Sequence, residues 1–160
     1  MIEVKATDQS PYPYTMSGLK NVFLVGISTY TCPSCGENYP VIPKVGELHR
    51  VISHMLIEKK EALAGEEIRF LRKNAAFSGT DFAALIQVRP ETLSRAENGH
   101  SVLSATADKM VRAIAEAASD GEHVRDLLLN KLNKLKDEGK STRKAFKIED
   151  DRWLQLELVA

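Results

Sequence analysis

Residues 77–99 read FSGTDFAALIQVRPETLSRAENG, and the reading of this stretch decides the rest. Ser78 stands just ahead of an apolar pattern, where its hydroxyl can cap a helix. Asp81 follows three positions on, at the positive end of the helix dipole. Phe82, Leu85 and Ile86 fall on one face at helical spacing. Ala83 is small, as a close helix crossing requires. The pattern breaks at Gln87, Val88 and Arg89. Pro90 then suits the first turn of a new helix, where its missing N–H would have no partner anyway. Leu93 anchors this second helix inward and leaves Arg89, Glu91, Thr92, Ser94 and Arg95 on its outer side and N-terminal end. Asn98 and Gly99 supply the left-handed residue that stops it. The spacing predicts two short helices joined by a tight turn, the second with the polar and basic character that suits the major groove of DNA.

These residues resemble the helix-turn-helix of the Xre/Cro repressor superfamily. Ser78, Ala83, Val88, Thr92, Ser94, Arg95, Glu97, Asn98 and Gly99 keep the register of that motif without a gap. Three positions depart from it. Gly79 stands where the family has a glutamine that often touches DNA, Arg89 where it has a serine cap, and Gln87 where it has the turn glycine. The last departure predicts a residue with a Cβ at positive φ. The residues that the motif assigns to DNA are Ser78, Thr80, Arg89, Pro90, Glu91, Thr92, Ser94, Arg95 and Asn98. Arg89 and Arg95 suit phosphate or guanine, while Glu91, Thr92 and Ser94 suit base edges or backbone. An ion pair of Arg95 with Glu91 or Glu97 is the alternative for that side chain. Glu97, near the helix end, reads as structural rather than as a base reader.

The chain has 160 residues, with 22 basic and 22 acidic residues and a formal net charge of zero. That balance argues against coating nucleic acid non-specifically. Locally the balance tips: residues 125–147 carry eight basic and three acidic side chains, among them Lys131, Lys134, Lys136, Lys140, Arg143, Lys144 and Lys147. Such a run reads as a solvated helix and linker, or as a source of phosphate contacts that position without specifying. Apolar runs such as Val22 to Val25 are far too short to span a membrane, and no signal peptide is visible. A cytoplasmic, nucleoid-associated protein is expected.

The fold class expected is α+β: a small β-rich N-terminal module over residues 1–61, an all-α helix-turn-helix domain over 62–120, and an extension of a helix and a β-hairpin over 121–160. In the first module, Ile2 to Lys5 and Asn21 to Ile27 read as strands, with Thr29 to Thr31 as a partner of the second. Pro40 and Pro43 are expected to block regular structure before a helix at about 45–61, whose apolar positions are Leu48, Val51, Ile52 and Met55. Gly65 separates that helix from one over Glu66 to Asn74. Ser104 caps a helix to about Ala118, with Met110, Val111 and Ile114 inward, and Asp120 and Gly121 end it. A helix at 122–136 carries a stripe of Val124, Leu128, Leu132 and Leu135. Phe146, Ile148, Trp153 and Leu154 suggest a terminal hairpin docked through Trp153.

Only two cysteines occur, Cys32 and Cys35, in the run TCPSCGE. A C-x-x-C pair lets two thiolates reach one tetrahedral zinc, and His49 and His54 complete a formal C-x2-C-x13-H-x4-H series. The pair equally suits thiol redox chemistry or a plain turn. The run Tyr12-Pro13-Tyr14-Thr15, then Ser17-Gly18-Leu19 and Asn21-Val22, followed by the cysteine pair and a helix leading into the helix-turn-helix, resembles the MqsA/YgiT-type antitoxins. The resemblance implies a zinc-finger-like module joined to an Xre-type DNA-binding module, a homodimer that represses its own operon, and a toxin protein as a further partner. Family members with bound zinc carry two C-x-x-C pairs, and this chain has the second only.

Taken together, the chain is expected to be a transcription regulator, a repressor that binds a double-stranded DNA operator as a dimer and belongs to a type II toxin–antitoxin pair. The alternative is a metal- or redox-responsive regulator sensing through Cys32 and Cys35. It is not expected to be an enzyme: there is no nucleophile–base constellation, no phosphate-binding glycine loop and no paired catalytic carboxylates.

Overall fold

The computed structural model describes residues 1–119, 122–130, 145–149 and 152–156. It is a mixed α+β structure. The N-terminal part holds β1 (Ile2–Lys5), β2 (Tyr12–Pro13), a 3-10 turn at Thr15–Ser17, β3 (Phe23–Leu24), β4 (Ser28–Thr31) and β5 (Asn38–Val41). The helices α1 (Val45–Glu58), α2 (Gly65–Asn74), α3 (Gly79–Leu85), α4 (Pro90–Glu97), α5 (Ala105–Ser119) and α6 (Glu122–Asn130) follow. Strands β6 (Ala145–Glu149) and β7 (Arg152–Leu156) close the chain as an antiparallel hairpin, with Glu149 opposite Arg152.

Strand pairing departs from the sequence expectation. Only Phe23 and Leu24 of the predicted Asn21-to-Ile27 strand are paired, with Pro13 and Tyr12. Gly26, at φ 83, turns the chain, and the backbone bonds from Ala6 N–H to Ile27 O and from Gly26 N–H to Ala6 O lay the next segment along β1. So β4 pairs with β1 on one side and with β5 on the other, in the order β1-β4-β5. Pro40 lies inside β5, opposite Thr29. It is tolerated because β5 is an edge strand, where a missing N–H leaves no ladder bond unmade.

One buried cluster runs through the N-terminal part and the helices. Tyr14, Leu19 and Leu24 join Ile52, Leu56, Ile68, Leu71, Phe82, Leu93 and Val111. Phe82 and Val111 are fully buried. Burying a phenylalanine contributes about 2–3 kcal/mol, against about 1 kcal/mol for a serine cap, so packing rather than capping holds the seven-residue α3 in place. Helix α1 ends three residues short of the expected boundary and is rotated from its expected face. Ile52, Ser53 and Leu56 are inside, while Val51 and Met55 are exposed. On α5, Val111 and Ile114 are inside as expected, but Met110 is exposed, and Asp108, one turn before Val111, is buried on the same face. The expected stop at Asp120 and Gly121, Leu132, Leu135 and the docking of Trp153 lie outside the described residues and side chains.

Buried Asp108 has a specific task. Its carboxylate accepts the Leu63 N–H at 2.7 Å and the Arg112 Nε–H at 2.7 Å. Arg112 in turn donates to the carbonyls of Leu56, Ile57, Lys59 and Glu61. These include carbonyls that the end of α1 leaves without helical partners. One ion pair on α5 therefore caps α1 and fixes the connection to α2.

Helix α2 starts where it meets α4. A Cβ on Gly65 would clash with the carbonyl oxygen of Ala96 and stand 2.9 Å from that of Glu97. Glycine is required here by the close approach of two helices. Gly65→Ala is expected to lower stability by about 1–3 kcal/mol despite alanine's better helix propensity. The urea midpoint measures it, and an unchanged midpoint would show that the two helices do not meet this tightly.

Candidate nucleic-acid interface

Helices α3 and α4 are built as their sequence suggests, down to the turn. Ser78 Oγ accepts the Asp81 N–H at 3.1 Å and donates to Asp81 Oδ2 at 2.7 Å. Helix α3 ends on a residue with a Cβ in the left-handed region, Gln87 at φ 57. Two backbone bonds secure that end: Val88 N–H to Ala83 O at 2.9 Å and Gln87 N–H to Ala84 O at 3.2 Å. The Gln87 side chain adds a bond to Ala84 O at 3.1 Å. This is the Schellman pattern, normally completed by glycine. The left-handed strain on a non-glycine residue is on the order of 1 kcal/mol, a small term beside the burial of the neighbouring Ile86. Helix α2 ends the same way on Ala76 at φ 57, and α4 on Gly99 at φ 75.

Helix α4 begins with Pro90 and turns Leu93, Ala96 and Glu97 inward. At about 100° per residue, Glu91, Ser94, Arg95 and Asn98 lie within roughly a 100° arc on the opposite side, with Thr92 at its flank. All nine residues assigned to DNA from the sequence are exposed: Ser78, Thr80, Arg89, Pro90, Glu91, Thr92, Ser94, Arg95 and Asn98. Their chemistry divides them. Ser78 is occupied as a cap. Asn98 is held at both ends, its Oδ1 accepting from an Arg69 Nη at 2.6 Å and its Nδ2 donating to Ser94 O at 2.8 Å. The side chains of Thr80, Arg89, Glu91, Thr92, Ser94 and Arg95 have no hydrogen-bond or ion-pair partner among the described residues.

What fixes α4 from behind is a charge cluster that the sequence reading did not identify. Glu97 is buried, and its carboxylate takes a two-pronged bond from Arg72, Nε to Oε1 at 2.6 Å and an Nη to Oε2 at 2.9 Å. Arg69 Nε reaches Oε2 at 3.5 Å, and Arg72 also donates to the Phe77 carbonyl at 3.0 Å. The hydrogen bond that Arg72 donates to Glu97 raises the Arg72 pKa above its usual value, outweighing burial, which acts in the opposite direction. No local sequence signal marks this pairing: Arg69 and Arg72 precede Glu97 by 28 and 25 residues.

Cys32 and Cys35 sit in the turn between β4 and β5, closed by Cys32 N–H to Glu37 O at 2.9 Å and Gly36 N–H to Cys32 O at 2.8 Å. Both are free thiols. Backbone N–H bonds from Cys35 and then Ser34 lower the Cys32 pKa. The structure does not bring the two histidines to them. His49 shares a 2.9 Å hydrogen bond with the Tyr14 hydroxyl and stacks edge-on against Phe70, and His54 Nδ1 faces Glu116 at 3.5 Å. Among the described residues no group of three or more His, Cys, Asp or Glu side chains could hold a metal. Two thiolates are half of a tetrahedral zinc set, so the described residues do not make a complete zinc site. No described helix is long and apolar enough to cross a membrane.

No family model, curated protein or solved structure matches this chain.

Glu97→Ala is expected to leave Arg72, whose side chain is only 13 % exposed, without its partner. The expected loss is about 3–5 kcal/mol, the usual result of removing one member of a buried pair. Urea unfolding measures this, and a change below about 1 kcal/mol would mean the pair is solvated in solution.

Proposed function

We infer that α3 and α4 act as a helix-turn-helix and that the protein is a sequence-reading DNA binder, a transcriptional repressor working as a homodimer. The observation that carries this reading is the outer face of α4. Glu91, Thr92, Ser94 and Arg95 stand exposed and unpartnered among the described residues, on a helix whose other face is fixed by Leu93, Ala96 and Glu97. Arg89 supports it. It occupies the cap position of α4 with no side-chain cap bond, and a cation there opposes the helix dipole. Such a choice sacrifices about 1 kcal/mol relative to serine or aspartate. A position that breaks a local rule without an internal compensation marks a functional role. Facing DNA, the same arginine would meet phosphate or guanine.

In this reading α4 lies in the major groove, and two protomers place their α4 helices about one turn of DNA apart. The order of modules and its resemblance to antitoxins extend the proposal to a toxin partner for the N-terminal part. Selection from random duplex DNA is expected to enrich a defined sequence. Arg95→Ala is expected to weaken binding to it by about 1–3 kcal/mol, roughly 5- to 150-fold in a mobility-shift titration. Failure to enrich any sequence, or unchanged affinity of the variant, would remove this placement of α4.

A second reading rests on the two free thiols that share one exposed turn. Oxidation of Cys32 and Cys35 to a disulfide releases two electrons and two protons to a thiol oxidant such as diamide, which is reduced to the hydrazide. A redox-responsive regulator would then change its duplex affinity on diamide treatment and recover it with dithiothreitol. Equal affinity in both states would leave the thiols outside the DNA function.

A further inference from the structure

A cleft of about 400 Å³ lies between the 3-10 turn of the N-terminal part and α2, lined by Met16, His49, Glu66, Arg69, Phe70 and Lys73 among others. Its volume falls within the range of small-molecule sites, roughly 300–1,000 Å³. The apolar part is formed by Phe70 and by Met16, which is 75 % exposed. His49 is held against Phe70 by its bond to Tyr14, with ring centroids of His49 and Phe70 5.4 Å apart. The polar part is cationic. Arg69 and Lys73 stand one turn apart on α2, so their side chains share a face. Glu66, the one carboxylate in the lining, is already engaged by Lys20, through its Nζ at 3.2 Å and its backbone N–H at 3.2 Å. The Lys73 ammonium has no hydrogen-bond or ion-pair partner among the described residues.

Arg69 also lines a second cleft, with Glu97, Asn98 and Gly99 at the end of α4. Its guanidinium is bonded there to Asn98 and Glu97. One side chain thus connects the first cleft to the last turn of α4.

We propose that the first cleft is an effector site for a small organic carboxylate with a compact apolar body. The carboxylate pairs with Lys73 and draws the Arg69 guanidinium toward it, and the apolar body rests on Phe70 and Met16. An anion that recruits Arg69 does so at the expense of its bonds to Asn98 and Glu97, which loosens the end of α4. Occupancy therefore lowers DNA affinity, a consequence that rests on the DNA-binding reading above. Only differential affinity for the two arrangements of Arg69 can produce this coupling.

The test uses the full chain, labelled with nitrogen-15, titrated with benzoate, phenylacetate and, as a neutral match, benzyl alcohol. The expected result is saturable amide shifts at Ser17, Gly18, Phe70 and Lys73 with the carboxylates at millimolar concentration, and much weaker shifts with the alcohol. Lys73→Glu reverses an exposed charge without disturbing the core, and is expected to weaken carboxylate binding at least about tenfold. Saturating benzoate is expected to weaken wild-type binding to the selected duplex severalfold and to leave Arg69→Ala unaffected. Absence of saturable shifts, or equal binding by Lys73→Glu, overturns the site. Shifts with unchanged duplex affinity overturn the coupling. Failure of the ligand-free protein to bind any duplex overturns the DNA reading instead, and the cleft is then judged on the shifts alone.

Discussion

The carboxylate of Glu97 sits where α4 meets α2. Arg72 and Arg69 reach it from α2, and the close approach of α4 to Gly65 brings it there. A buried ion pair of this kind adds little net stability over an apolar filling, because desolvation offsets most of the Coulomb gain. What it does add is orientation. A two-pronged arginine–carboxylate bond tolerates little rotation, whereas an apolar contact such as that of Leu93 would be met by many rotations of α4 about its axis. The rotation of α4 decides which residues face outward, so the pair fixes the exposed face that the functional reading needs.

The pair of Asp108 and Arg112 plays the same part elsewhere. It spends its hydrogen bonds on backbone groups, the Leu63 N–H and the carbonyls that follow α1. Burial of those groups without partners would cost several kcal/mol in sum. Two ionic clusters thus organise the helices: one sets the rotation of α4 and the other joins α1 to α5 across the connection to α2. Among the described residues no buried side-chain polar atom is left without a partner, so neither cluster is half-satisfied.

Local chemistry was legible in the sequence and long-range pairing was not. The cap at Ser78, the start at Pro90 and the stop at Gly99 follow from the residue itself and its neighbours within four positions, and the left-handed Gln87 from its standing where the motif that the segment resembles has a turn glycine. The partner of Glu97 did not, because nothing local tells an acid which of several arginines it will meet. The face of α1 was misassigned for a related reason. Val51, Ile52, Met55 and Leu56 form an apolar band wider than the surface it packs on, and only the position of α5 decides which half is covered. The pairing of β4 with β1 turned on the backbone conformation of Gly26, and Pro40 was read as a break because edge and centre strands look alike in sequence. The two histidines fitted a metal spacing on paper. Their positions on α1 instead direct one to Tyr14 and Phe70 and the other to Glu116.

The zero net charge constrains how such a protein could hold DNA. Without a general positive field, affinity must come from a few placed cations, and each placed cation must be free of internal partners. Arg72 and Arg112 fail that condition, since each is committed to a carboxylate and to backbone carbonyls. Arg89 and Arg95 meet it, and both lie on the element whose rotation Glu97 sets. Arg69 belongs to neither group. It is 38 % exposed, bonded to the end of α4 at its tip and bordering a cleft along its length. A cation with bonds on one side and open space on the other can exchange an internal partner for an external one. That makes it the point where an event in the N-terminal half could be felt at α4, while the fully committed arginines keep the scaffold unchanged.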